Sequence, residues 1–180
     1  GDDSIVIKSG RDQDGWRVAK PSEKIIIRDN YMEGHNALAV GSEMSGGVQN
    51  IYMESNRLGE VASAIYFKSN LDRGGYIRHV FVRNTEVEKA DILLRFHINY
   101  HSHRGGNYPA EYEHFVIENV TAKQSRVGIE ILGIQQMPAR NIRVVNLEVL
   151  QADTPQNVAY VEDLRYENVR INGEKLDVPE

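Results

Sequence analysis

The chain contains no cysteine. That excludes disulfides and thiolate metal sites, and it leaves the compartment open, because many proteins of oxidising compartments also lack cysteine. Proline is scarce, with 5 among 180 residues, and aromatic residues make up only 8%. No apolar run approaches the ~18 residues of a membrane-spanning helix, so no membrane span is expected. No single charge sign dominates. Lys and Arg number 21, Asp and Glu 26, mixed along the whole length, for a net charge of -5. That mixture offers no basic face to nucleic acid. The first ten residues, GDDSIVIKSG, are acidic and strand-like and do not read as a signal peptide. A glycine-rich phosphate loop and a nucleophile elbow are also missing.

What is present is a repeat. Residues 1–180 suffice for one domain with a sizeable core, and apolar–polar alternation marks short half-buried strands rather than helices. Six segments align: Lys24–Asn30, Asn50–Asn56, His79–Thr85, His114–Val120, Asn141–Leu147 and Asp163–Val169, with starts 26, 29, 35, 27 and 22 residues apart. A second set falls between them: Ser4–Lys8, Ala37–Gly41, Ala64–Lys68, Asp91–Arg95 and Gly128–Ile131. Two or more short strands per repeat indicate a solenoid. Helical repeats would need a 3.6-residue period, and leucine-rich repeats a tighter Leu frame; neither is found. The expected fold is all-β, a parallel β-helix of about six coils. Asn84, Asn119, Asn146 and Asn168 each stand five residues after a segment start. Asn tolerates a left-handed corner, and amides stacked on successive coils can bond in a ladder.

Stacking the coils ~4.8 Å apart gathers the chemistry on one outer face. Aligning the second set turns Ile5, Leu38, Ile65 and Ile92 inward. Two positions before each strand, Asp2 and His35 become neighbours. Small residues (Ala37, Ala39, Gly41) leave a shallow floor beside them, and Lys68 and Arg95 stack on the far side. Carboxylates, an imidazole, an aromatic ring and a pair of cations in one row make an acid/base site beside an anion subsite. Taken singly, an acidic pair at a strand start is more often a solvated turn, and His35 and Lys68 ordinary surface residues.

Gly1-Asp2-Asp3, then Gly34-His35-Asn36 leading into Gly41-Ser42, then Ala64-Ile-Tyr-Phe-Lys68, resemble the consecutive motifs of the polygalacturonases, glycoside hydrolase family 28. The stretch Phe67–Gly75 is similar to bacterial, often exo-acting, members. The resemblance covers nearly the whole chain, as the C-terminal part of such a catalytic domain lacking its N-terminal coils. It implies a right-handed parallel β-helix that cleaves α-1,4-galacturonosyl bonds of pectin with inversion. It assigns Asp2 as general acid, Asp3 as a water-activating base, His35 as their support, and Lys68 as the cation on a substrate carboxylate. Inversion needs a protonated carboxyl and a water-activating carboxylate ~6.5–9.5 Å apart. A like charge next door helps keep one of them protonated.

Three positions depart from the family forms. Tyr66 replaces an Arg, so either Arg73 or Arg95 is expected to supply that charge, or Tyr66 to stack on a sugar. Asn36 replaces a Gly. The Asn-Thr-Asp motif that belongs one coil upstream is absent, so the chain alone is expected to be weak or inactive and to self-associate through its first coil. Tyr100 is a further candidate for a sugar contact. His97, His101 and His103 have the residue type of a metal site but lie in what reads as a long loop, so no metal and no cofactor are expected. Asn119-Val-Thr121 matches a glycosylation sequon, although a coil corner explains it better. The expected partner is acidic polysaccharide, and the expected location secreted or periplasmic. The competing readings are a non-catalytic β-helix that binds acidic polysaccharide, and a relative acting on rhamnogalacturonan or xylogalacturonan.

Overall fold

The computed structural model describes residues 2–101 and 105–179. The chain runs β1 (Ile5–Ile7), α1 (Asp12–Val18), β2 (Ser22–Arg28), β3 (Tyr31–Gly41), β4 (Val48–Glu54), β5 (Arg57–Lys68), β6 (Tyr76–His97), β7 (Glu111–Leu132), β8 (Ala139–Ala159), β9 (Val161–Ile171) and β10 (Glu174–Lys175). Each of β1 to β8 pairs in parallel with its counterpart on the next coil, along β1-β3-β5-β6-β7-β8-β9 and β2-β4-β6. Among the strands of the described residues, β10 alone pairs antiparallel, onto β9. This is the parallel β-helix that the repeat predicts. The short helix α1 was not foreseen; its sequence, DQDGWRV, contains a central glycine and no helical stripe.

The corners explain why strands as long as the 22 residues of β6 and β7 wrap round a coil. Asp29, Ser55, Asn84, Asn119, Asn146 and Asn168 occupy one column, and all have φ between 51° and 58°. Asn is among the few residues that visit this left-handed region readily. The expected ladder is present. Asn119 Nδ2 donates to Asn84 Oδ1 at 3.0 Å, Asn146 Nδ2 to Asn119 Oδ1 at 3.0 Å, and Asn168 Nδ2 to Asn146 Oδ1 at 2.9 Å. Asn119 thus sits in a corner with its side-chain amide in use. Replacing Asn119 by Gly keeps the backbone conformation free but deletes two ladder bonds. About 1–2 kcal/mol of stability should be lost, read as a lower urea midpoint at unchanged m; an unchanged midpoint would show that the amides add nothing.

Inside the coils, Leu38, Ile65, Leu94 and Ile129 form one inward column, and Val40, Phe67, Phe96 and Ile131 another. Phe67, Phe96 and Phe115 meet at centroid distances of 4.7, 4.8 and 4.9 Å. Three buried rings, each worth ~1.5–3 kcal/mol on burial, fix the spacing between walls of the coil. That rigid interior holds the outer face of β3, β5, β6 and β7 in register.

Candidate active site

The register that pairs Ile5 with Leu38, carried back along both strands, sets Asp2 beside His35 and Asp3 beside Asn36. Gly34, with φ 115°, lies at an irregularity in the β3–β5 pairing just before His35. Asp2 and His35 are exposed, whereas the Asp3 side chain is 7% exposed. Lys68 Nζ donates to Asp3 Oδ2 at 2.8 Å and Oδ1 at 3.1 Å, and Asn36 Nδ2 donates to Oδ1 at 2.6 Å. Burial alone would push the Asp3 carboxyl up, but the hydrogen bonds from Lys68 and Asn36, aided by the Lys68 charge, hold it below the usual carboxylate range. Gly41 allows this approach of the coils: with φ 96°, a Cβ there would lie 2.0 Å from the Lys68 carbonyl oxygen.

These residues line a cavity of about 610 Å³ that runs from Asp2 and Asp3 across Tyr66 to Arg95 and Arg126. Tyr66 is buried, and its hydroxyl is pushed up to about 12, by burial first. It remains a neutral phenol. Arg95 Cζ lies 4.7 Å from the Tyr66 ring centroid, and Lys68 Nζ 5.4 Å from it. Tyr100 stands edge-on to Tyr66 at 6.5 Å, with its hydroxyl 3.4 Å from Ser42 Oγ.

The structure thus brings together Asp2, Asp3, His35, Lys68, Tyr66, Arg95 and Tyr100 around one cavity. It does not bring Arg73 there. Arg73 is 1% exposed and faces Asp12, Asp72 and Glu43, which together form its ionic surroundings beneath α1. A charge ringed by three carboxylates cannot replace the one that Tyr66 lacks. The expected stacking of Arg95 on Lys68 is also shifted: Arg95 pairs with Tyr66, and His97 pairs with Lys68. His97, one of the three histidines with the residue type of a metal site, approaches Glu130, Nε2 to Oε1 at 2.9 Å; His103 lies outside the described residues. Sequence reasoning missed Glu130, Glu43, Asp91 and Arg126. A count from the corner would have found Glu130, because Asn84 to Leu94 and Asn119 to Ile129 are both ten residues, which places Arg95 and Glu130 on one column.

The fold and this face define a parallel β-helix with a paired-carboxylate site on one outer sheet. No family model matches the chain. It is 28% identical to a probable polygalacturonase of Vitis vinifera over 89% of its length and 34% of the relative's. It is 24% identical to an exo-poly-alpha-D-galacturonosidase of Dickeya chrysanthemi, over 96% of the chain and 31% of the relative. A crystal structure of an exopolygalacturonase from Thermotoga maritima superposes with a TM-score of 0.82 at 30% identity, covering 98% of this chain and 40% of that one. The matches bear out the resemblance carried by the motifs: the chain is similar in sequence and in fold to polygalacturonases and exo-galacturonosidases. The chain spans about a third of the length of the curated relatives it matches.

Proposed function

We propose that this chain carries the catalytic face of a glycosidase that hydrolyses α-1,4-galacturonosyl linkages with inversion, as one part of a longer catalytic domain. The observation that carries the reading is Asp3, a nearly enclosed carboxylate kept ionised by Lys68 and Asn36 next to the exposed Asp2 and His35. Asp2 gives its proton to the leaving glycosidic oxygen as the bond from the anomeric carbon breaks. A water attacks that carbon from the opposite face and passes its proton to the Asp3 carboxylate. His35, on the neighbouring rung, supports Asp2. Tyr100 offers ring surface to sugar, whereas Tyr66 is buried beneath Arg95 rather than open for stacking, and the cations lining the cavity suit an acidic polysaccharide. A polymeric pectic substrate implies an enzyme that works outside the cytoplasm, secreted or periplasmic.

Two expectations follow for the 180-residue chain taken alone. Turnover is slow, because the chain spans about a third of its relatives' length and incomplete positioning of a substrate costs rate. The chain also associates, because β1 and β2 each pair on one side only and open strand edges invite pairing. The test is incubation with polygalacturonate, following reducing ends and the anomeric proton by NMR, with light scattering on a sizing column. Slow release of the β-anomer is expected. First release of the α-anomer would end the inverting assignment, and binding without hydrolysis would favour the non-catalytic reading.

A further inference from the structure

The two cations near Tyr66 are not equivalent. Lys68 is committed to Asp3 through both carboxylate oxygens, with 11% of its side chain and 7% of that of Asp3 exposed. Reading a second anion would mean loosening that pair. Arg95 is 26% exposed at the side chain and lines the same cavity. Its guanidinium lies over the Tyr66 ring, and its Nε donates to Glu130 Oε1 at 3.0 Å. Its two terminal nitrogens have no hydrogen-bond partner among the described residues. His97 Nε2 lies 2.9 Å from Glu130 Oε1, and His97 is packed edge-on against Tyr66 at 6.0 Å. The four side chains form a closed unit, Tyr66–Arg95–Glu130–His97, in which the guanidinium is gripped by its inner nitrogen and its face.

We propose that Glu130 is a positioning residue that fixes Arg95 on Tyr66, and that Arg95, rather than Lys68, reads a substrate carboxylate in this cavity. A guanidinium held by Nε and one face keeps a planar two-pronged donor free, the geometry that matches a carboxylate through two parallel hydrogen bonds. The side-chain freedom that binding would otherwise remove is already restricted by the tether and the ring. Glu130 holds Arg95 through Oε1, has His97 against the same oxygen and is 12% exposed at the side chain, so it cannot itself turn towards a ligand without releasing Arg95. This inference rests on the cavity being a galacturonate site.

The experiment is calorimetric titration of the full chain with digalacturonate and with its dimethyl ester. The unmodified chain should prefer the free acid. Arg95→Ala should cut affinity for the acid by roughly ten- to a hundredfold and leave that for the ester nearly unchanged. Arg95→Lys should recover only part of the loss, because the fork is gone. Glu130→Gln, which keeps the shape, should weaken the acid by roughly three- to tenfold, and should change nothing further in an Arg95→Ala background. A purely structural Glu130 would weaken both ligands alike and would add its effect to that of Arg95→Ala; either result overturns the proposal. Retained acid preference in Arg95→Ala overturns it while leaving the function reading intact. No binding of either ligand by the folded, unmodified chain overturns both.

Discussion

Asp3→Asn is expected to lower whatever rate the chain sustains on polygalacturonate by ~10²–10⁴-fold, with no rise in KM. Asn keeps the shape and still accepts a hydrogen bond from Lys68, but it cannot take a proton from water. The Lys68 ammonium also loses its counter-charge, which favours an anionic substrate rather than repelling it. The loss should therefore appear in kcat, the pattern of an interaction needed only in the transition state. A companion variant, Lys68→Met, tests how Asp3 is kept ionised. In the native site, burial pushes the carboxyl up, and Lys68 and Asn36 more than offset it. Activity that depends on ionised Asp3 then persists to a pH below the ordinary Asp value of ~3.9. Without Lys68 only the Asn36 hydrogen bond and the Lys8 charge still oppose burial, and the acid limb of the pH–rate profile should move to higher pH. The same pair contributes stability above the unfolded pKa that is lost as pH falls through the depressed folded value, so acid unfolding should begin at higher pH in Lys68→Met. Near-normal kcat in Asp3→Asn would remove Asp3 from the mechanism.

Much of this site was legible because a β-helix converts sequence offsets into neighbours. The Asn column announced itself, since a left-handed corner accepts few residues and the same offset recurs at Asn84, Asn119, Asn146 and Asn168. Asp2 and His35 followed from one strand alignment. Arg95 was misplaced by two residues for a physical reason. Strand alternation has a period of two, so a two-residue slip preserves which side chains face in and which face out. Alternation alone cannot tell Arg95 over Lys68 from Arg95 over Tyr66. The corner breaks the degeneracy, because the distance from corner to core is fixed, and the spacings from Ser55 to Ile65 and from Asn84 to Leu94 are equal. Arg73 was beyond this kind of reading. It lies outside the strands, in a loop after β5 that folds beneath α1, and α1 has no helical stripe to announce it. Where no ladder imposes a register, the direction of a side chain is set by tertiary contacts such as Trp16 Nε1 donating to the Arg73 carbonyl at 2.7 Å.

That buried arginine carries the largest expected effect on stability. Arg73→Met should cost about 3 kcal/mol, the low end for removing one partner from a buried ionic group, seen as a lower urea midpoint with m unchanged. The volume change is small, so the loss comes from charge. Asp12 and Asp72 would face each other across the vacated guanidinium, and Glu43 would keep only Lys8. Each of these carboxylates is a quarter to a third exposed at the side chain, which is why the low end applies. The pH dependence identifies the cause. Hydrogen bonding from Lys8, set against burial and helped by the charges of Lys8 and Arg73, holds the Glu43 carboxyl below its usual range. Stability gained from that arrangement is present above the unfolded Glu value of ~4.3 and lost as pH falls through the lower folded value. The gap between the native chain and Arg73→Met should accordingly narrow in acid, as the carboxylates protonate and no longer need a cation. The consequence reaches the cavity, because Glu43 and Lys8 line it together with Asp3. Loosening α1 and the loop after β5 should therefore weaken digalacturonate binding as well as folding, although Arg73 itself touches no substrate. A gap that stays constant between neutral and acid pH would assign the loss to packing instead, and a loss below about 0.5 kcal/mol would show that the three carboxylates find other partners.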